Sequence, residues 1–306
     1  MKGIECFVES QGFYGVYYPN PKPSQSAIIA MAGDSCTDYL ARKTVQWLHG
    51  LGLNVLAMSF AANDYSCHDY PLEHFGLAID FLHQEKNKKI AFFGASTTGM
   101  AALLAASYYS DISLTFAISP SDFVMEGYYQ IKGVEQPGNN ESTMSWKGNP
   151  LPYLPYAYRH PQYWNEIQAE SKRGKNMIAS REMFDLSEKM HPITEQERIK
   201  VENIQGTLVL LGAEDDCLWD TCKYIRRMER VLKQRDTNLD LHVLTYEHGT
   251  HFLFPQSLMK MLLPFAPNLL PKIAFKAGKD FSKECKAARM DMDVKVRKIV
   301  SDWILK

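Results

Sequence analysis

Short apolar runs alternate along this chain with stretches whose apolar positions recur every three or four residues. Residues 27–32 (AIIAMA) end at Gly33 and read as a strand buried on both faces; 55–60 reads as another buried strand, and 89–93 and 114–118 as further strands. Between them, residues 37–49 place Leu40, Val45, Trp47 and Leu48 at helical spacing and stop at Gly50. Residues 71–82 put Leu72, Phe75, Ile79, Phe81 and Leu82 on one helical face, and 98–107 form a helix of small residues. The alternation resumes with a strand at 207–211, a helix at 219–232 and a strand at 241–246. A C-terminal helix over 282–305 turns Val294, Ile299, Trp303 and Ile304 inward. At the N-terminus, 4–9 and 13–18 predict two short strands around a Gln11-Gly12 turn. Strand and helix in this order specify an α/β fold: a mostly parallel central sheet with helices on both faces.

Between Ser119 and Gly206 the alternation breaks. Residues 120–155 mix Gly, Pro, Asn and aromatic side chains without a period, and helical pieces follow at 162–170 and 176–189. A single domain over 1–306 is expected, with 120–203 as a cap or lid inserted between two sheet strands. Met125, Tyr128, Tyr129, Met144, Trp146, Tyr153, Tyr156, Tyr158, Tyr163 and Trp164 are too many large apolar groups for a solvated loop, and either line a lid or fill a second small core.

Composition narrows the function. With 45% hydrophobic and 23% charged residues the chain is ordinary for a soluble globular protein. A net charge of −1 argues against a general nucleic-acid or membrane-surface role, though not against local basic patches. The first twenty residues hold no signal-like apolar run, and no stretch reaches the roughly 18 apolar residues of a membrane span. A cytoplasmic protein is the expectation. The six cysteines are scattered without a Cys-x-x-Cys pair, so reduced isolated thiols are expected rather than a zinc site or disulfides.

The chemistry concentrates in three loops. Gly94-Ala95-Ser96-Thr97-Thr98-Gly99 lies between an apolar strand and a small-residue helix, the setting of a nucleophile elbow. The usual pattern is G-x-S-x-G; here Thr98 occupies the second glycine position and Gly99 comes one residue later. A serine N-cap on an ordinary sheet-packing helix is the plain alternative. After the strand at 207–211 comes Gly212-Ala213-Glu214-Asp215-Asp216-Cys217-Leu218-Trp219, and after the last strand Glu247-His248-Gly249-Thr250-His251. Serine, acid and histidine thus follow the chain order of α/β-hydrolases, each at the C-terminal end of a predicted strand. Glycine spacing favours Asp215 over Asp216 as the acid. Family spacing favours His251 over His248 as the base.

These three segments together resemble the C-terminal catalytic domain shared by acyl-CoA thioester hydrolases and bile acid-CoA:amino acid N-acyltransferases, the Asp-Asp-x-x-Trp stretch being the most distinctive. Ala32-Gly33-Asp34-Ser35 and Gly50 to Ala57 are similar to the family's oxyanion-loop region. The likeness covers most of residues 20–306. It implies a serine hydrolase in which Ser96 attacks an acyl carbonyl, His251 takes its proton and Asp215 orients the imidazole. Serine as nucleophile resembles the hydrolases, since the N-acyltransferases use cysteine. The oxyanion would be held by the backbone N–H groups of Thr97 and Asp34. No metal or organic cofactor is implied. The partner is a small acyl ester or thioester, with neither nucleic acid nor membrane expected.

The resemblance favours coenzyme A thioesters, whose phosphates need cations; Lys172, Arg173 and Lys175 in the cap, with Arg181 nearby, are the candidates. A solvated loop explains the same charges. Rival readings are a carboxylesterase or peptidase on the same fold, or a binding protein that kept the fold without activity.

Overall fold

Eight strands form one sheet: β1 (Ile4–Cys6), β2 (Gly15–Tyr18), β3 (Ser26–Met31), β4 (Asn54–Met58), β5 (Lys89–Ala95), β6 (Ile112–Ile118), β7 (Thr207–Ala213) and β8 (Asp240–Tyr246). They lie in the order β1-β2-β4-β3-β5-β6-β7-β8. β2 runs antiparallel to both β1 and β4, and every other pair is parallel. The structure is a computed structural model and describes residues 3–33, 35–61, 66–131, 134–234 and 238–306.

The apolar runs become the central strands because helices cover both sheet faces. β3, β4 and β7 are buried at every position. On one face pack α2 (Glu73–Gln84), α3 (Thr97–Tyr108) and α6 (Thr221–Lys233), through Phe75, Met100 and Ile225. On the other pack α1 (Tyr39–His49) and α10 (Ser282–Leu305), through Val45, Trp47, Met292 and Val300. Asp38 caps α1 by accepting the Ala41 N–H at 2.8 Å. Helix α3 is buried from Thr97 to Ala106, and its alanines let it lie close against the sheet.

Three local expectations change. The stretch 4–9 is a strand only to Cys6; Val8–Gln11 is one helical turn, ended by Gly12 at φ 78°. On α10, Val294 is 69% exposed, and the buried stripe is Ala288, Met292, Val296 and Val300 with Trp303. Three short helices not foreseen from sequence, α7 (Gln256–Leu262), α8 (Leu269–Ala274) and α9 (Lys276–Asp280), bridge the last strand to α10.

The segment after β6 builds its own small structure. A hairpin pairs Glu126–Ile131 with Val134–Ser142, and Met144–Trp146 joins Tyr70–Pro71 in parallel. Helices α4 (Gln162–Gly174) and α5 (Arg181–Met190) follow. Two buried carboxylates tie it down. Glu126 accepts the N–H groups of Asn140 at 2.6 Å and Tyr156 at 2.5 Å and pairs with Arg159 at 2.9 Å. Arg227 of α6 pairs with Asp122 and, at 2.5 Å, with Glu188 of α5. Burial pushes the Asp122 carboxyl above its ordinary value against the pull of Arg227.

Candidate active site

Ser96 stands between β5 and α3 at φ 63° and ψ −130°, a conformation that non-glycine residues hold only when their surroundings impose it. Those surroundings are specific. A Cβ on Gly94 would lie 2.0 Å from the Thr98 carbonyl oxygen, so only glycine fits there. Thr98, in place of the usual glycine, uses its hydroxyl to accept the Ala95 N–H at 2.9 Å and to donate to the Met31 carbonyl at 2.9 Å, with the Ala95 carbonyl at 2.8 Å. The turn is therefore pinned to the end of β3. Gly99 lets α3 approach β6, since a Cβ there would sit 2.8 Å from the Ile118 carbonyl oxygen.

His251 reaches this serine from the loop after β8. Its Nε2 lies 3.0 Å from Ser96 Oγ and its Nδ1 2.8 Å from Asp216 Oδ2. A hydrogen on Nδ1, donated to Asp216, leaves Nε2 to accept from the Ser96 hydroxyl. Both partners are shielded, the side chains being 3% and 0% exposed. Asp216 also accepts the Thr221 hydroxyl at 2.5 Å and the Leu218 N–H at 2.9 Å. Trp219 packs edge-on against the imidazole at 4.7 Å and donates its indole N–H to the Ser119 carbonyl at 3.1 Å.

The carboxylate at the histidine is thus Asp216, not Asp215 as glycine spacing suggested. The Asp216 N–H bonds back to the Ala213 carbonyl at 3.3 Å, and this tight turn swings the second acid inward. Asp215 instead accepts the N–H groups of Gly249 at 3.0 Å and Thr250 at 2.7 Å, with His248 Nδ1 at 3.2 Å. Thr250 has φ 61°, so the first acid braces a strained histidine loop while the second holds its imidazole. His248 stacks on Phe281 at 3.7 Å, away from Ser96.

A cavity of about 200 Å³ opens at Ser96 and Thr97. Its walls come largely from the inserted segment: Met125, Tyr128, Tyr156, Tyr163, Trp164, Ile167 and Phe184, with Leu218 and Trp219 opposite. Other aromatic residues of that segment do different work. Trp146 packs on Tyr108 at 4.8 Å, and Met144 is fully buried. The Tyr129 side chain lies outside the described residues.

The remaining expected site residues separate. Thr97 lines the cavity and opens α3, where backbone N–H groups have no carbonyl partner within the helix. Asp34 lies outside the described residues. Lys172, Arg173 and Lys175 do not line the Ser96 cavity. Arg173 pairs with Glu182, and Lys175 is the left-handed cap of α4 at φ 55°. Arg173 and Gly174 belong to a neighbouring groove of about 350 Å³ that passes Asp215 and Asp216. Arg181 is held by the Asp216 carbonyl at 3.0 Å and by Asp220 at 2.5 Å. Sequence reasoning missed Ser119 and Thr221 as braces of the histidine; neither carries a local motif. Cys217, the thiol nearest in sequence to the acids, is pushed up to about 12 by burial and then by the Asp216 charge.

A sheet of this order, a serine on a strained strand-to-helix turn and a histidine after the last strand define an α/β-hydrolase. The chain belongs to the BAAT / acyl-CoA thioester hydrolase C-terminal family, whose profile matches residues 70–258. It is an α/β-hydrolase of the kind that acts on acyl esters and thioesters. An esterase of Pyrococcus furiosus is similar in structure at 17% identity, covering 79% of this chain and 80% of its own, with a TM-score of 0.48. Est1E of Butyrivibrio proteoclasticus is similar at 13% identity over 94% and 98%, TM-score 0.43. An acylaminoacyl peptidase of Pyrococcus horikoshii is similar at 14% over 93% and 41%, TM-score 0.48. No curated protein matches the chain.

Proposed function

We propose that the protein hydrolyses acyl thioesters of the coenzyme A type through an acyl-enzyme on Ser96. The observation that carries the acyl-enzyme reading is the His251 imidazole, 3.0 Å from Ser96 Oγ and 2.8 Å from the buried Asp216, at the mouth of an aromatic cavity; the choice of a thioester rests on the family profile over residues 70–258. His251 Nε2 takes the hydroxyl proton as Oγ bonds to the acyl carbon and the carbonyl electron pair moves onto oxygen. The Thr97 N–H, with a second N–H from the loop after β3, holds that oxyanion. Collapse breaks the bond to the thiol sulfur, which leaves with the proton from His251. Water then repeats the sequence, His251 taking one proton and returning it to Ser96 as the carboxylic acid departs. Asp216 stays ionised throughout and stabilises the imidazolium.

The test begins with a fluorophosphonate probe, which should label Ser96 in the native protein and not in Ser96→Ala. That variant should lose on the order of a millionfold in kcat, with stability moved by no more than about 1 kcal/mol. Retention of more than about a tenth of the activity would remove the serine mechanism. Poor turnover of acyl-CoAs beside good turnover of p-nitrophenyl esters would move the reading to a carboxylesterase.

A further inference from the structure

Residues 256–286, just beyond the histidine loop, form α7, α8, α9 and the start of α10, and they leave side chains of two kinds in solvent. Phe265 is fully exposed, Ile273 is 66% exposed, and Leu269 and Phe281 exceed 40%. Met177, whose N–H bonds the Ala274 carbonyl at 2.7 Å, extends the patch. Scattered exposed apolar residues are ordinary, but such residues on adjoining elements are not. Within α8 the exposed positions Leu269, Lys272 and Ile273 share one helical face, and after the extended Phe275 helix α9 exposes Lys276 and Lys279, so apolar and ammonium groups lie on adjoining helices.

Charge sets this face apart from the rest of the molecule. Six exposed lysines (260, 272, 276, 279, 283 and 286) stand against Asp280 and Glu284, a local balance of +4 in a chain of net −1. Beneath them Arg289 is buried, with only the amide oxygens of Gln256 at 3.2 Å and Asn268 at 2.9 Å as acceptors and Nη1 unbonded. Among the described residues no carboxylate pairs with it, so its charge adds to the positive potential. Beside it the face continues as a trough of about 320 Å³, separate from the Ser96 cavity, with apolar and aromatic walls that include Tyr39, Phe252, Leu263 and Leu270. The Phe252 ring is 6.2 Å from His251.

We infer that this face docks on a membrane surface bearing anionic headgroups. Lysines meet the headgroup charges while Phe265, Leu269 and Ile273 enter the boundary with the acyl chains. An acidic protein would need matched acids for six lysines spread over four helices together with a pocket for the Phe265 ring, whereas an anionic bilayer presents charge and an apolar layer along its whole surface. No helix among the described residues is long and apolar enough to cross a membrane; contacts of exposed lysines and a few apolar side chains make a peripheral, reversible attachment. Seated this way, the trough beside His251 opens at lipid level. The docking requires no particular leaving group and stands apart from the thioester reading.

Cosedimentation of the 306-residue protein with vesicles decides the matter. The protein should bind mixed phosphatidylcholine–phosphatidylserine vesicles at low salt, leave them as salt rises, and ignore phosphatidylcholine alone. Phe265→Glu with Ile273→Glu, and separately Lys272→Glu with Lys279→Glu, should each weaken binding by about tenfold or more. Both variants should keep wild-type melting and wild-type turnover of a short soluble ester. Failure to bind the mixed vesicles, or undiminished binding by either variant, overturns the inference. So does a wild-type dimer that Phe265→Glu dissolves, since the face would then be covered by a second copy.

Discussion

Asp215 and Asp216 are neighbours in sequence and hold different parts of one loop. Asp216→Asn replaces an acceptor by an amide that satisfies the wrong histidine tautomer, and kcat should fall by about 10⁴. Asp215→Asn keeps an oxygen for Gly249 and Thr250 and should cost far less. Asp215→Ala strands both N–H groups and should cost about 1–3 kcal/mol, read in a urea titration. Equal kcat losses for the two Asn variants would contradict this division. From sequence the three loops that the structure brings together around Ser96, His251 and the acidic pair were legible. The choice within the pair was not, because it depends on one turn hydrogen bond at Ala213. Thr98 gives the opposite lesson: it looks like a broken motif, yet its hydroxyl does the fastening. The thiols yield a further residue-scale prediction. With Cys217 and Cys222 pushed up to about 12 and Cys6 and Cys285 to about 11, chiefly by burial, they stay protonated at neutral pH. Iodoacetamide should therefore leave activity intact where a fluorophosphonate abolishes it.

Among the elements, the buried strands were readable because burial on both faces leaves unbroken apolar runs, and β3, β4 and β7 show it. The inserted hairpin was not. Val134–Ser142 reads VEQPGNNES, a loop by composition, and it becomes a strand through pairing with Glu126–Ile131. Val294 fell on the wrong side of α10 for a related reason, since neighbouring elements decide which stripe is covered. Two predictions belong at this scale. Tyr156→Ala or Phe184→Ala, on the cavity wall, should change acyl-chain preference more than Trp146→Ala, which packs on Tyr108. Equal shifts from all three would deny the insertion a selective role. If Lys172, Arg173 and Lys175 hold the phosphates of coenzyme A from outside the Ser96 cavity, neutralising them raises KM for an acyl-CoA and leaves KM for a short thioester without the nucleotide unchanged; a solvated loop leaves both unchanged. Equal effects on both substrates would remove the phosphate role.

At the scale of the whole molecule, the last strand of the sheet sets when the site exists. Among the described residues β8 pairs only with β7, and its side chains are mostly half exposed, yet the loop that follows it brings His251 to a serine 155 residues earlier. Edge elements open at lower free energy than central ones. Rising urea should therefore abolish ester hydrolysis before the far-UV helix signal declines, and coincident transitions would contradict this. The same placement governs a chain emerging from the ribosome. Ser96 can sit on its strained turn, between β3 and β6, while His251 is still unsynthesised. Under the proposed mechanism turnover starts only once β8 has joined the sheet, which makes the first product molecule a signal that the far edge of the sheet has closed.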